Sequence, residues 1–359
     1  MAKAVYVGVG SKARKMKKAY IGIGGKARKV KKMYIGVGGK ARLCYSAELE
    51  KVGMAAALST TRYDMRAATV GKYALFAGGY ISKSSFGYSV SSSVDAYNTS
   101  LTKSTPTELS CKRCGHAAAS VGGYALFAGG ASSYNLLNFY ENLVSAVDAY
   151  DASLTRSAAH IIGATVAIGG AAVGNYALFA GGTVYSQINE DNVTSDVLAY
   201  DPSLTFTTAP WLSVARANVK GASAGNYALF AGGRADGFCT TVDAYNASLT
   251  RTTATALSST KNNSAAATVG NHAIFVGNTA SADIYDASLT KTSAAILSTA
   301  RMGLAATTVG DYAIFSGGGV ADFCDASLTR SSIGTSTQNY AARQISRVLK
   351  AYRTTLWMT

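Results

Sequence analysis

Val70-Gly71-Lys72-Tyr73-Ala74-Leu75-Phe76-Ala77-Gly78-Gly79 is the stretch that decides the fold, because it recurs almost unchanged around Tyr124, Tyr176, Tyr227, His272 and Tyr312. A second string, Val94-Asp95-Ala96-Tyr97-Asn98-Thr99-Ser100-Leu101-Thr102, follows each copy, with echoes centred on Tyr150, Tyr200, Tyr245, Tyr285 and Cys324. The chain therefore holds six units, whose first strings are spaced by 51, 52, 51, 45 and 40 residues. Within a unit, an Ala/Val/Thr run such as residues 67–70 leads through a Gly turn into Tyr-Ala-Leu-Phe-Ala, which ends at Gly-Gly. A loop then leads to Val-Asp-Ala-Tyr, a turn at Asn/Asp-Ala-Ser, and Leu-Thr-Arg/Lys into a fourth strand. Short β-rich runs bounded by Gly, Asn, Asp and Ser read as hairpins. Four antiparallel strands per period of roughly 40–50 residues are the pattern of a propeller blade. At Gly-Gly, neighbouring blades are expected to crowd the backbone, and only Gly accepts the positive φ of such a corner.

These residues resemble the kelch repeat, which has an Arg before the first strand, a Tyr-rich second strand ending in Gly-Gly, and a Tyr after it. The resemblance spans about residues 50–330 and implies an all-β, six-bladed kelch-like β-propeller. Two features depart from it. The Trp usual late in the repeat is missing, its stretch reading Leu289-Thr290-Lys291-Thr292-Ser293, and Gly277-Asn278 breaks the Gly pair. A ring must also be fastened so that no sheet edge stays open. Residues 50–59 resemble 293–298, so an N-terminal strand is expected to complete the last blade.

A shorter repeat precedes the propeller. Tyr6-Val7-Gly8-Val9-Gly10, Tyr20-Ile21-Gly22-Ile23-Gly24 and Tyr34-Ile35-Gly36-Val37-Gly38 lie 14 residues apart, each followed by Lys-Ala-Arg. Alternating β-branched and small residues predict ordered strands. Residues 1–44 hold 13 Lys/Arg and no acid, and residues 330–359 hold five and none. The whole net charge of +15 is thus terminal, since the middle carries 16 basic and 19 acidic residues. The resulting division is 1–45, a basic β-rich anchor or assembly segment; 46–330, the propeller; and 331–359, a basic C-terminal extension. Within the extension, residues 341–359 suit an amphipathic helix, though a strand fits nearly as well. Tyr6, Arg14, Lys15, Tyr20, Arg28, Lys29, Tyr34 and Arg42 are the candidate anchor residues. This array resembles segments of structural proteins from phages and prophages of Gram-positive bacteria, where they precede variable C-terminal domains. That resemblance implies a virion component, made in the host cytoplasm.

Composition bounds the rest. Charged residues are only 15% of the chain, so Ser, Thr, Asn and Tyr must cover the surface, as on adhesive or extracellular proteins. No run of about 18 apolar residues is present, and residues 1–10 have no secretory-signal pattern, so neither a membrane span nor a signal peptide is expected. Five scattered Cys argue for reduced, packed thiols and against a disulfide framework.

Catalytic chemistry is hard to assemble, and no enzyme, metal or cofactor is expected. His272 takes a slot that is Tyr in five other units, and His160 is isolated. Cys111-Lys112-Arg113-Cys114-Gly115-His116 lacks the second ligand pair of a structural zinc site. Some kelch propellers, such as galactose oxidase, are copper enzymes, but three His are too few for such a ligand set. Asp95, Asp148, Asp243, Asp283 and Asp322 recur one per unit, which marks a turn or hydrogen-bonding position.

Recognition has the better signal. The loop between Gly-Gly and Val-Asp-Ala-Tyr is 14, 16 and 14 residues long in units one to three, then eight, three and one. Its candidates are Tyr80, Phe86, Tyr88, Tyr134, Asn135, Phe139, Tyr140 and Tyr185, among many Ser. Tyr among small polar residues gives large contact area at low entropic cost; simply longer hairpins are the plainer alternative. The basic segment fits docking onto virion proteins and sister copies better than nucleic acid, which does not require ordered strands. Membrane-surface attraction ranks below both. The expected function is a virion structural protein displaying a propeller towards a host-surface glycan or protein. A capsid or tail decoration protein and an intracellular kelch scaffold are the alternatives.

Overall fold

Each repeat folds into one antiparallel sheet. In repeat 1 the strands Arg66–Val70, Tyr73–Ala77, Val94–Asn98 and Lys103–Ser104 pair in that order. Repeats 2 to 6 do the same, ending with Ala305–Val309, Tyr312–Gly317, Val320–Asp325 and Arg330–Gly334. A seventh four-stranded sheet comes from the long loops of repeats 1 and 2. In this computed structural model the chain is all-β and of propeller type. The structure describes residues 56–334, apart from 85–86, 99–101, 136–139, 161, 185–191, 262–264, 302–303, 310–311 and 318–319, together with strand backbones between residues 6 and 46. No helix among the described residues is long and apolar enough to cross a membrane. The amphipathic stretch expected at 341–359 lies outside them.

The two strings have distinct jobs. Tyr-Ala-Leu-Phe-Ala runs through the middle of sheets 1 to 4, and in sheets 2 to 4 it is buried after its Tyr. Its Phe meets the Tyr of the third strand edge-on, with ring centroids 5.9 Å apart in each of repeats 1 to 5. That Tyr donates its hydroxyl to a carbonyl of the preceding linker, at Ala56, Thr107, His160, Pro210 and Thr255. The innermost strands are small-residue runs, which lets neighbouring sheets approach closely. Ser120 donates to the Thr69 carbonyl at 2.7 Å, and Ser223 to that of Ala172 at 2.6 Å. Gly-Gly sits where sheet meets linker. Gly79, at φ 89°, donates its N–H to the carbonyl of Arg113 in the next repeat's linker, and a Cβ there would strike the Tyr63 carbonyl.

The recurring Asp is more than a turn residue. In each of five repeats it is buried and paired with a cation from the linker before its own sheet: Arg62–Asp95 at 2.5 Å, Arg113–Asp148 at 2.6 Å, Arg216–Asp243 at 2.9 Å, Lys261–Asp283 at 3.2 Å and Arg301–Asp322 at 2.6 Å. The guanidinium also donates to backbone carbonyls, as Arg113 does to Ala146 at 2.8 Å. A linker Ser donates to the same carboxylate, for example Ser110 on Asp148 and Ser213 on Asp243, and a fourth-strand Arg binds its other oxygen, as Arg156 and Arg251 do there. Repeat 3 has lost all three partners together: Gly163, Thr165 and Leu198 stand in the places of Ser, Arg and Asp. The joint loss makes physical sense, because a neutral pair is tolerated whereas one buried charge without its mate costs several kcal/mol.

The turn after Val-Asp-Ala-Tyr is an Asx turn with a left-handed Leu. Asp151 Oδ1 accepts the N–H groups of Ser153 and Thr155, and the following Leu154 takes φ 65°. Leu204, Leu249, Leu289 and Leu328 repeat this left-handed conformation. A left-handed Leu costs about 1–2 kcal/mol. Its burial against the apolar cluster of its own interface offsets that cost, as for Leu154 and Leu249.

One expectation is corrected. Residues 56–59 do not form a strand of the last sheet; that sheet is filled by its own strands, including Arg330–Gly334. Ser59 instead donates to the Asp95 carboxylate and Ala56 accepts from Tyr97, so this segment acts as the linker of sheet 1. Contact between sheets 6 and 1 comes from packing of Ala305 with Phe76 and Tyr97. The rest of that expected strand, residues 50–55, lies outside the described residues.

The N-terminal hairpins form a separate compact unit. Tyr6–Val9 pairs with Lys12–Lys15, Tyr20–Ile23 with Lys26–Lys29, and Lys32–Val37 with Lys40–Ser46, each as its own two-stranded sheet. Each 14-residue repeat is thus one hairpin.

Two outcomes are expected in urea unfolding. Arg216→Thr lowers stability by about 3 kcal/mol, by leaving the buried Asp243 carboxylate with only the part-exposed Arg251 as counter-charge, and adding Asp243→Leu recovers much of the loss, because the pair then copies repeat 3. Burial alone would raise the Asp283 and Asp322 carboxyls, but hydroxyls of Ser258 and Ser332 and the charges of Lys261 and Arg301 hold both below the usual range. Their contribution is therefore present above the unfolded carboxyl value of about 4 and is lost as pH falls through the lower folded one. Midpoints measured from pH 6 to pH 3 should fall, and less steeply in Asp322→Asn.

Candidate recognition surface

The first two long loops are ordered by pairing with each other. Tyr80–Ser84 and Gly87–Val90 form one hairpin, Ala131–Tyr134 and Tyr140–Leu143 another. They join at Tyr88 opposite Tyr134, giving the seventh sheet at the Gly-Gly end of repeats 1 and 2. Tyr80 is the first residue after Gly79, so the rigid Gly-Gly corner launches the hairpin.

Three predicted tyrosines meet on this sheet. Tyr80 lies 5.1 Å from Tyr88 and 6.0 Å from Tyr134, the latter pair stacked at 10°, and Tyr88 lies 5.1 Å from Tyr134. Tyr63 joins them, stacked on Tyr80 at 6.1 Å and bonded to it through backbone groups. Burial, followed by the nearby Asp64 charge, pushes the Tyr80 phenol well above its ordinary range; burial and Tyr88 do the same for Tyr134. Both hydroxyls therefore stay protonated and can donate. Asn135 donates to Glu141 at 2.7 Å, and Asn142 to Ser133 at 3.1 Å, making a polar border. The backbone of Tyr140 pairs with Tyr134. Phe86, Phe139 and Tyr185 lie outside the described residues.

Beside the tyrosines lies a charged group that sequence reading passed over. Arg66 opens the innermost strand of sheet 1 and pairs with Asp64 at 2.6 Å. Lys220 opens the corresponding strand of sheet 4 and is half-buried. Desolvation, then the positive charge of Arg66, lowers its ammonium to about 8. Exposed aromatics add to this end in repeats 3 and 4: Trp211 is 69% exposed and Phe238 50%, with the Arg234 guanidinium 5.7 Å from the Phe238 ring. The signal for these residues was disagreement between repeats. Lys220 and Arg66 occupy a slot that is Ala or Gly in the other four units, and Arg234 takes the place of Tyr80.

Other chemistry-bearing residues are separated. His116 fills a slot that is Met65, Ile168 and Val219 elsewhere; burial, then the charges of Arg66 and Arg113, holds it well below its usual value. Burial likewise pushes the Cys114 thiol up to about 12, and its sulfur faces the Ala131 carbonyl. Among the described residues no three His, Cys, Asp or Glu side chains group as metal ligands. A small cavity lined by Gly163, Thr165, Gly181, Asp196 and Leu198 marks the missing ion pair of repeat 3.

In the N-terminal hairpins, Tyr6 stands opposite Lys15 and Val7 opposite Arg14; Tyr20 stands opposite Lys29 and Ile21 opposite Arg28. Tyr34 stands opposite Leu43 and Ile35 opposite Arg42. All eight anchor candidates therefore fall on paired strands.

No protein family matches the chain, and no curated protein matches it. The fold is nonetheless found among solved structures. One of them, described as the structure of YjhT, superposes with a TM-score of 0.59 at 11% identity, covering 78% of this chain and 99% of that one. At that identity the likeness is one of fold, which agrees with the propeller type read from the sheets.

Two substitutions test the surface. Gly79→Ala forces a Cβ into the Tyr63 carbonyl at positive φ, and should lower the melting temperature by several degrees and weaken the near-UV tyrosine dichroism. Tyr134→Ala removes two ring contacts from the accessory sheet, so it should weaken that dichroism while leaving urea unfolding of the six repeat sheets within about 1 kcal/mol of the parent.

Proposed function

We propose that this chain is a non-enzymatic structural protein of a phage virion, held by its basic hairpins and displaying a six-bladed kelch-like propeller for host-surface or glycan contact. The observation that carries this reading is the tyrosine sheet. The four-stranded sheets of repeats 4 to 6 form with loops of only eight, three and one residue, so the accessory sheet is surplus to the fold. Stacked, half-buried tyrosines with protonated hydroxyls suit sugar rings, which offer apolar faces and hydroxyl edges.

The hairpins support the anchoring half of the proposal. Each is a two-stranded sheet by itself, and such sheets are marginal in water without something to pack on. With 13 cations and no acid in residues 1–44, an acidic protein surface or sister copies arranged around one is the fitting partner. Ordered pairing of the basic strands favours this over phosphate-backbone binding, which requires only charge.

The experiment is mass spectrometry of purified particles from cells expressing the full chain or a chain lacking residues 1–45. The full chain is expected in particles at stoichiometric amounts and the truncated one in the unassembled fraction. Absence of the full chain from particles would overturn the proposal; equal incorporation of both would overturn the anchoring role. If the protein is incorporated but neither binds host cells nor affects adsorption, it decorates the particle instead.

A further inference from the structure

The cations at the Gly-Gly end of the repeat sheets are not all treated alike. Arg62, Arg113, Arg216, Lys261 and Arg301 are buried against carboxylates. Arg66 is paired with Asp64, but 29% of its side chain remains exposed. Among the described residues Lys220 and Arg234 have no carboxylate within salt-bridge distance. Lys220 is the costly one, because it is half-buried and lies in the field of a second cation, Arg66. A fold gains nothing from that arrangement; Ala or Gly serves at the same slot in Ala117, Gly169, Ala265 and Ala305.

The geometry brings the two strand starts towards one centre. Innermost strands contact in the order Arg66–Val70, Ala117–Val121, Gly169–Val173, Lys220–Ala224, Ala265–Val269, Ala305–Val309, and Ala305 packs against Phe76 of sheet 1. Arg66 and Lys220 therefore start strands three places apart either way round, at the same end. That end also carries the tyrosine sheet: Tyr63, three residues before Arg66, stacks on Tyr80, and Asp64 lies within Coulombic reach of Tyr80, Tyr134 and Lys220.

We propose that Lys220 and Arg66 form an anion subsite beside the tyrosine sheet, and that the ligand is an acidic saccharide whose carboxylate or phosphate is held there while a sugar ring lies on the tyrosines. This rests on reading that sheet as a recognition surface. Like charges held together in a partly desolvated setting are relieved by an anion, and the hydrogen bonds formed are charge-assisted. Asp64 opposes the anion, and it balances only one of the two cations. With Arg66 and Asp64 as its charged neighbours and His116 neutral, Lys220 is protonated at neutral pH and loses its proton near 8. Affinity should therefore fall as pH rises from 7 to 9.5.

The test uses the full chain, with galacturonate oligosaccharide as the carboxylate probe, the matching neutral galactose oligosaccharide as control, and inorganic phosphate as competitor. Binding is read by calorimetry. The acidic oligosaccharide should bind at least tenfold more tightly than the neutral one, and phosphate should compete. Lys220→Gln and Arg66→Gln should each weaken binding about tenfold or more, and Lys220→Arg should restore it and remove the fall above pH 8. Equal binding of the acidic and neutral sugars, or no effect of Lys220→Gln in a protein with unchanged unfolding midpoint, would overturn the anion subsite. If the neutral sugar binds and Tyr88→Ala abolishes it, the recognition surface stands while the subsite falls; if neither sugar binds, both fall.

Discussion

A linker cation buried against the carboxylate of the following sheet is the interaction on which the remainder depends. The linker leaves one sheet, passes the Gly-Gly corner of its neighbour, and must enter the next sheet at a set height. The Arg113 guanidinium, for instance, reaches the Asp148 carboxylate and the Ala146 carbonyl together; Ser110 donates to the same carboxylate oxygen, and Arg156 to the other. A planar group with five donors can satisfy several carbonyls and a carboxylate at once. That fixes the linker against the sheet, and with it the offset between adjacent sheets. The Gly-Gly corner is shaped around the same linker, as the Gly79 N–H on the Arg113 carbonyl shows.

Repeat 3 shows how the interaction can be withdrawn. Ser, Arg and Asp are absent together, and Thr165 and Leu198 leave a small cavity in their place. What persists there is the hydroxyl of Tyr200 on the His160 carbonyl and the Phe179–Tyr200 edge contact. The aromatic pair is thus an independent second fastening, so one sheet can dispense with the ion pair. Loss of all three partners at once is the outcome that the energetics of buried charge favour, since any partial loss strands a charge.

With the repeat frame carrying stability, the parts that differ between repeats are free to do something else. The long loops of repeats 1 and 2 build a sheet the frame does not need, and Arg66, Lys220 and Arg234 put charge where other repeats have small or aromatic residues. These departures cluster at the Gly-Gly end, where the loops and linkers lie. The opposite end is uniform, with Asx turns and left-handed leucines in every repeat whose turn is described. Uniformity at one end and variation at the other is how a repeat fold separates scaffold from binding surface.

The sequence by itself determined the repeat number, the four-strand pattern, the Gly-Gly corners and the strands of the basic segment, though not their pairing, because these depend on local periodicity and turn chemistry. It also singled out Tyr80, Tyr88 and Tyr134, through their composition. It read Asp95 and its counterparts as turn or hydrogen-bonding positions without finding their cations, because those partners lie 21 to 35 residues earlier and no local rule connects them. It likewise expected residues 50–59 to close the last sheet, but 56–59 act as a linker, because resemblance to 293–298 cannot tell a strand from a linker. Only the tertiary structure decided that two loops pair into one sheet, that Tyr63 joins the aromatic cluster, and that Arg66 and Lys220 fall within each other's field. Each of these is a contact between distant segments, set by how the sheets are arranged and not by the order of residues within any of them.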